Sequence, residues 1–374
     1  MQNLKPMDAV AALYSDEHHE LSEKIVASLS RAIFDKGEIR PAGRMQRTFA
    51  RVSYRVLQRT TTFCNGKDET GSEVTVFSNP LLEWSKHPYA RSLLASSRSE
   101  TASLVDGGDP MNGNYMMLAP EIRMNGGLWD RLFLDSVQGK DVRLRLALET
   151  RATYEAAKHW IERDEPVRLK AVAAGTGLSM ILAYDRLVRD GYNPDLITAI
   201  ITDRDGANIA KANRLLHKLA TTRGRMGSLG RGYGISAETE DIFAESRNVG
   251  TACMAQYDVL TAIGILEYFN GFTYATTEQR LKLEPPVESA TAQDLAMRLY
   301  EMTTERASLI VNTYRDDAST RILELFGRRF DYRRRENLRS LLASVNFRSA
   351  QLVGSGNIYD VEVYEKSLGK AGTA

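Results

Sequence analysis

The sequence has 374 residues, 43% of them hydrophobic, and its formal net charge is +1 at pH 7. This length predicts about two domains with a sizeable core, and the balanced charge predicts no overall attraction to nucleic acid or to a membrane. Two distant cysteines, Cys64 and Cys253, argue against a disulfide framework or a zinc site. The first residues lack the apolar core of a signal peptide, and no apolar run reaches membrane-spanning length. We therefore expect a cytoplasmic protein.

Residues 7–62 are predicted to be helical, with a break marked by Gly37 and Pro41. The second predicted helix, 44–62, carries apolar residues beside a series of arginines. Such a helix can bind nucleic acid, but few aromatic residues are interleaved for base stacking. We interpret the arginines as a solvated helix face or as an interface with the other domain. The apolar residues are Phe49, Val52, Val56 and Leu57, and the arginines are Arg44, Arg47, Arg51, Arg55 and Arg59.

Residues 63–127 are rich in asparagine, glycine and proline, which predicts an irregular segment with several turns. Its methionines and aromatic residues would form a small satellite core or would line a substrate pocket as a lid. A lid of this composition suits an apolar or aromatic ligand. His87 lies in this segment and is a candidate general base. A domain boundary is predicted near 140–150, where Arg143 and Arg145 would either bind a carboxylate or form an ordinary charge pair at the start of a helix.

A glycine turn between two strands is the most informative feature of the chain. A strand-type run, 167–172, ends in the turn Ala-Ala-Gly-Thr-Gly, 173–177, and a second strand after an amphipathic helix ends at Asp203. Gly175 and Gly177 let the backbone approach a ligand where a Cβ would clash. A carboxylate on the same sheet edge can accept hydrogen bonds from both hydroxyls of a ribose. The pattern predicts the first half of a nucleotide-binding doubly wound unit.

Further elements of the same kind follow along the chain. A buried strand begins at Tyr257 and runs into a polar tip, and a fully apolar strand is predicted over 307–313. An amphipathic helix, 332–342, then leads into strands near 349–353 and 358–366. These elements predict an α/β fold in the second part of the chain.

The order and spacing of these elements resemble the class I S-adenosylmethionine-dependent methyltransferases over about residues 155–366. The resemblance implies a doubly wound Rossmann-like sheet, mostly parallel with an antiparallel C-terminal strand. Together with the helical pattern of the first residues, this predicts a mainly helical N-terminal region, 1–145, with a lid-like segment, 63–127, and a cofactor-binding domain, 146–374. Ala171 departs from the acidic residue of the family and Ala173 from its first glycine. Another group must then contact the amino group of the cofactor.

The resemblance assigns the residues around S-adenosylmethionine. The turn glycines would lie under the methionine part of the cofactor. Asp203 would accept hydrogen bonds from the ribose hydroxyls, and the segment at Asp241 and Ile242 would contact the adenine. The positions implied for the cofactor are Ala173, Gly175, Thr176, Gly177, Asp203, Arg204, Asp241, Ile242 and Gly264.

A dinucleotide is the rival ligand for such a sheet. Its G-x-G-x-x-G pattern needs a third glycine, and the corresponding position here is Met180. A phosphate-binding P-loop is disfavoured as well, because no lysine follows the glycines. Both ligands are thus disfavoured, and an oxidoreductase remains an alternative that predicts nicotinamide binding.

The implied reaction is an in-line displacement, for which the protein aligns the acceptor and excludes water. An oxygen or nitrogen acceptor also needs a general base. Acceptors approach the strand tips, so Glu267 and Tyr268 join His87 as catalytic candidates. Alternatively, Glu267 caps the following helix and Tyr268 belongs to the core.

The sequence thus predicts a cytoplasmic methyltransferase that acts on a small, apolar or aromatic molecule. A non-catalytic binding module of the same fold is the alternative, as is a methyltransferase that acts on RNA or protein. We also expect that the N-terminal helices can pair two copies into a homodimer, with neither a membrane nor a nucleic acid as partner.

Overall fold

The computed structural model describes residues 4–35, 39–60, 62–67, 73–78, 109–122, 134–222, 234–243, 256–269, 291–324 and 331–367. Within these ranges the helices are α1 (Pro6–Tyr14), α2 (His19–Phe34), α3 (Arg44–Thr60), α4 (Asp109–Met116), α5 (Val137–Ile161), α6 (Leu178–Arg189), α7 (Gly206–Thr222), α8 (Ala292–Glu301), α9 (Ala318–Glu324) and α10 (Arg335–Ser344). The strands are β1 (Thr62–Lys67), β2 (Glu73–Ser78), β3 (Val167–Ala171), β4 (Ile197–Asp203), β5 (Ile235–Thr239), β6 (Tyr257–Ala262), β7 (Thr303–Tyr314), β8 (Phe347–Ser355) and β9 (Tyr359–Lys366).

Seven strands form one sheet in the order β5-β4-β3-β6-β7-β9-β8. The first five strands of this order are parallel to one another, whereas β9 runs antiparallel to both β7 and β8. The central strands β3, β4 and β6 are mostly buried, as expected for parallel strands covered by helices on both faces, whereas the edge strand β5 is partly exposed. The predicted doubly wound sheet with an antiparallel C-terminal strand is confirmed.

The N-terminal helices α1 and α2 pack onto the same core as the sheet. Leu13, Ile25 and Leu29 are fully buried and share one apolar cluster with Leu169 and Ile201 of the central strands. Helix α7 contacts both α1 and α2. The helical N-terminal part and the sheet therefore share a continuous hydrophobic core.

Helix α5 begins at Val137, before the predicted domain boundary near 140–150, and runs through position 145. Ser136 caps its N-terminus, because its hydroxyl accepts a hydrogen bond from the Gly139 N–H at 3.0 Å. Asp141 in the first turns accepts from the Ile358 N–H at 2.7 Å and so ties α5 to the turn between β8 and β9. Burial raises the pKa of Asp141. The division at residue 145 stays a prediction.

The segment predicted to be irregular, 63–127, contains regular structure where it is described. Strands β1 and β2 pair antiparallel as a separate hairpin, and α4 follows. The hairpin was not predicted because its strands are short and contain polar residues and a glycine in place of a clear alternation. His87 lies outside the described residues. Among the helices that the structure describes, none is long and apolar enough to cross a membrane.

Candidate active site

The glycine turn and the acidic tip meet at the carboxyl end of β3 and β4. The Gly175 N–H donates to Asp203 Oδ2 at 2.7 Å, and the Asp205 N–H donates to Asp203 Oδ1 at 2.8 Å. Burial raises the pKa of Asp203, although these backbone hydrogen bonds oppose that effect. The structure thus brings together the turn and the carboxylate that the sequence predicts at one edge of the sheet.

The turn depends on glycine at its last position. Gly177 has a φ of +62°, and an added Cβ would lie 2.5 Å from Cγ2 of Ile201. Ala173 has a φ of 49° although it carries a side chain. A residue other than glycine pays about 1–2 kcal/mol for this left-handed conformation. The side chain of Ala173 therefore leaves strain in the turn.

Two N-terminal elements close one side of the turn. The hydroxyls of Tyr14 and Thr176 are hydrogen-bonded at 2.9 Å, and Thr176 donates to Asn112 Oδ1 at 3.2 Å. All three side chains are buried. Tyr14 ends α1 and Asn112 lies in α4, so residues far apart in the sequence hold Thr176. No local pattern marks Tyr14 or Asn112 as part of the site.

A buried carboxylate that was not predicted from the sequence lies beside Thr261 of β6. Glu149 on α5 is hydrogen-bonded to Ser179 and Thr261, and Thr261 is the register partner of Ala171 in the sheet. Burial raises the pKa of Glu149, and the nearby charge of Arg145 opposes that rise. The helix spacing of α5 gives no hint of this contact, because Glu149 reaches the sheet only through the three-dimensional fold.

The segment after β5 lies beside Asp203. The Glu240 N–H donates to the backbone oxygen of Asp203 at 3.0 Å, and the side chain of Glu240 pairs with Lys170 at 2.7 Å. Asp241 accepts from the Phe243 N–H at 2.9 Å, and Ile242 is buried. Arg204, by contrast, is exposed to solvent. The segment predicted to contact adenine therefore lies at the same edge of the sheet as the turn.

A charged pair lies at the tip of β6. Glu267 is only 4% exposed, and its Oε1 lies 3.6 Å from Nη1 of Arg145. The guanidinium of Arg145 also lies 4.8 Å from the ring centroid of Tyr359 and donates to the Tyr115 hydroxyl at 3.4 Å. Gly264, with a φ of +78°, passes close beneath, and a Cβ there would lie 3.1 Å from Arg145 Nη1. Arg145 thus lies on a buried helix face at the sheet edge, and is more than a charge at the start of α5.

Of the three catalytic candidates, Glu267, Tyr268 and His87, the structure describes the side chain of Glu267. Glu267 lies in a short 3-10 helix, Leu266–Tyr268, directly after the tip of β6. The side chain of Tyr268 and the whole of His87 lie outside the described residues. Within the described residues, the carboxylate of Glu267 faces the guanidinium of Arg145.

Comparison with protein-family models and with curated protein sequences finds no match. Among solved structures, a magnesium protoporphyrin IX methyltransferase from Synechocystis with bound SAH is 14% identical over 60% of this chain and 87% of its own, with a TM-score of 0.37. The CurJ carbon methyltransferase is 14% identical over 97% and 100%, with a TM-score of 0.44. The cyclase SpnF is 15% identical over 59% and 82%, with a TM-score of 0.37.

Because these identities and TM-scores are low, the fold assignment rests on the strand order of the chain itself. Five parallel strands with β3 at the centre are followed by an antiparallel β9 inserted between β7 and β8. The chain has the Rossmann-like fold of the class I S-adenosylmethionine-dependent methyltransferases.

Proposed function

We propose that the protein is an S-adenosylmethionine-dependent methyltransferase with a small-molecule acceptor. The observation that carries the proposal is the contact between the glycine turn and Asp203, in which the Gly175 N–H lies 2.7 Å from the carboxylate. It occurs at the carboxyl edge of a doubly wound sheet, where ligands of such folds bind. The first residue of the turn, Ala173, is exposed, and the carboxylate has further lone pairs for hydroxyl donors.

The residues present fit the cofactor. Gly175 and Gly177 would lie under its methionine part, Asp203 would accept its ribose hydroxyls, and the segment at Asp241 and Ile242 would line its adenine. When bound, the cofactor supplies an activated methyl group on a sulfonium. The protein itself binds, orients the acceptor and excludes water.

Glu149 is our candidate for the acid that is missing at Ala171. Its carboxylate is buried beside Thr261, the register partner of Ala171, and it approaches the helix that follows the glycine turn through Ser179. A carboxylate at this place can hold the ammonium group of the cofactor from the helix side of the turn. The departure from the family motif is then compensated by a residue on α5.

The acceptor is proposed to bind at the tip of β6. Tyr115 and Tyr359 place aromatic rings around Arg145 there, which suits an apolar or aromatic molecule. In this proposal Glu267 orients or deprotonates the acceptor, and Arg145 holds that carboxylate in position. Tyr268 and His87 stay candidates for the same acceptor pocket.

A thermal-shift titration with S-adenosylhomocysteine, S-adenosylmethionine and NAD(H) tests the cofactor. A ligand at about a hundred times its dissociation constant stabilises the folded protein by about 2.7 kcal/mol. We expect a rise in Tm with the two adenosyl ligands only. Asp203→Ala should abolish the rise, whereas the exposed Asp195→Ala should preserve it. A shift with NAD(H) alone would refute the proposal in favour of an oxidoreductase.

The altered glycine motif favours one second candidate, a binding module that has lost catalysis. The strained Ala173 and the apolar Ala171 are the positions at issue. This candidate predicts weak or absent binding of the adenosyl ligands, or binding without methyl transfer to any acceptor. A screen of aromatic and apolar acceptors with radiolabelled cofactor separates an enzyme from a binding module. The same screen with RNA and protein acceptors tests for a methyltransferase that acts on a macromolecule.

A further inference from the structure

Helix α3 has three distinct faces. One face packs onto the protein through Ala50 and Leu57, which belong to an apolar cluster with Tyr314 and Tyr359. On the same face, Tyr54 is hydrogen-bonded to Arg321. The side chains of the other two faces are exposed to solvent.

The second face is apolar and exposed. Met45 is 84% exposed, Phe49 46%, Val52 52% and Val56 42%. These four positions fall within about 60° around the helix axis and form one continuous stripe. Four exposed apolar side chains on a single helix exceed the scattered surface residues that need no explanation.

The third face is basic. The helix arginines are all exposed, and none of them forms an ion pair within the described part of the chain. No acidic residue occurs between positions 39 and 67, although the net charge of the whole protein is only +1. The local charge therefore differs from the global balance. The basic residues are Arg40, just before the helix, and Arg44, Arg47, Arg51, Arg55 and Arg59.

We propose that α3 binds reversibly to an anionic lipid surface. An apolar stripe flanked by arginines, on a helix that lies along the surface of its protein, inserts into the boundary between lipid headgroups and acyl chains. Clusters of four to eight basic residues on such a helix bind anionic lipids. The charge and the apolar stripe of α3 meet both requirements.

Other occupants fit this surface less well. A second copy of the chain would bring the same six arginines against each other, and like charges disfavour such a contact. A single-stranded nucleic acid needs aromatic side chains for stacking, and Phe49 is the exposed aromatic residue of the stripe, since Tyr54 faces Arg321. Aliphatic side chains such as Met45, Val52 and Val56 favour insertion into lipid.

The buried face of α3 packs into an apolar cluster that reaches the candidate active site. Ala50 and Leu57 share their cluster with Tyr359, whose ring contacts Arg145. A protein held at a membrane through α3 would therefore present the tip of β6 near the lipid, where apolar acceptors concentrate. This last consequence rests on the proposed function, but the lipid binding does not.

Vesicle sedimentation of the full-length protein tests the proposal. We compare phosphatidylcholine vesicles with vesicles that contain about 30% phosphatidylserine. The protein should sediment with the anionic vesicles only, and salt at about 0.5 M should release it. The triple variant Arg47→Glu, Arg51→Glu, Arg55→Glu should bind at least about 100-fold more weakly, because each basic side chain near an anionic surface contributes about fivefold.

Matched controls separate this surface from general charge and apolarity. Arg163, Arg306 and Arg348 are exposed, and their combined exchange to Glu should leave binding far stronger than in the α3 variant. Phe49→Ser with Val52→Ser should also release the protein, whereas Met297→Ser with Leu352→Ser, at exposed apolar positions elsewhere, should not.

Several outcomes would overturn the proposal. One is no sedimentation with anionic vesicles, and another is equal weakening by the α3 and control arginine variants. A dimer in light scattering that Phe49→Ser dissociates would assign the stripe to a second copy. Tighter binding to a labelled single-stranded RNA than to the vesicles would assign the arginines to nucleic acid.

Discussion

Glu149 carries a prediction in which stability and ligand affinity change in opposite directions. Burial raises the pKa of Glu149 above its ordinary value of 4.5, so ionisation costs folding free energy. Its contribution to stability is present at low pH and is lost as the pH rises through the raised pKa. Glu149→Gln should therefore be no less stable at neutral pH, yet it should bind S-adenosylhomocysteine about 10–100-fold more weakly, because the ammonium loses its carboxylate.

Calorimetric titration as a function of pH checks this prediction. In the native protein the affinity should fall as the pH drops through the raised pKa of Glu149, and in Glu149→Gln that dependence should be absent. Unchanged affinity in the variant would assign Glu149 to the structure of α5 alone.

At the residue scale, the site residues that could be predicted from the sequence are those within one continuous stretch of the chain. Gly175, Gly177 and Asp203 were predicted because one β-α-β unit fixes their places at the sheet edge. Glu149, Tyr14 and Asn112 were not predicted, because each reaches the turn across a tertiary contact that has no sequence period. A missing acid at Ala171 signalled only that some other group was needed.

At the scale of the element, the glycine turn predicts its own stabilising substitution. Ala173 holds a φ of 49°, so Ala173→Gly should remove strain and raise the free energy of unfolding by about 0.5–1 kcal/mol after the entropy cost of glycine. The adjacent Ala174 is absent from the residues with positive φ, and Ala174→Gly should therefore destabilise. Urea unfolding measures both variants, and equal signs for the two would contradict the strain.

The helices and strands themselves followed their periodicity, and the differences have local causes. The start of α5 was missed because the cap at Ser136 lies before any clear apolar repeat. In α3 the arginine face was predicted, but the apolar stripe at Phe49 and Val52 is exposed because Ala50 and Leu57 take the buried side. A helical wheel shows which residues share a face, but not which face the rest of the protein covers.

At the scale of the whole molecule, Lys218 holds the N-terminal helices on the sheet. Its ammonium is buried and donates to the backbone oxygen of Ala12 at 2.9 Å and to the Ser22 hydroxyl at 3.1 Å. Arg214 donates to the oxygen of Tyr14 at 2.8 Å. Two cations of α7 thus satisfy the last-turn carbonyls of α1, which has no basic residue of its own there.

Lys218→Met should lower the free energy of unfolding by about 2 kcal/mol, because it leaves buried oxygens without this donor. The exposed Lys24, which pairs with Glu20, is the control, and Lys24→Met should change stability by less than about 0.5 kcal/mol. Urea unfolding of the native protein should show one cooperative transition, since the N-terminal helices share the core of the sheet. A small effect of Lys218→Met, or a separate early transition in the native protein, would contradict this picture.

The hydrogen bond between Tyr14 and Thr176 couples the docking of helix α1 to the conformation of the glycine turn, even if no residue of α1 touches the ligand. If a ligand tightens the glycine turn, it also tightens the docking of α1, and thermodynamic linkage makes the coupling reciprocal. A perturbation confined to the first helix would then change cofactor affinity from outside the pocket. In such a protein the N-terminal helices act as an energetic control on the turn, transmitted through the hydroxyl groups of Tyr14 and Thr176.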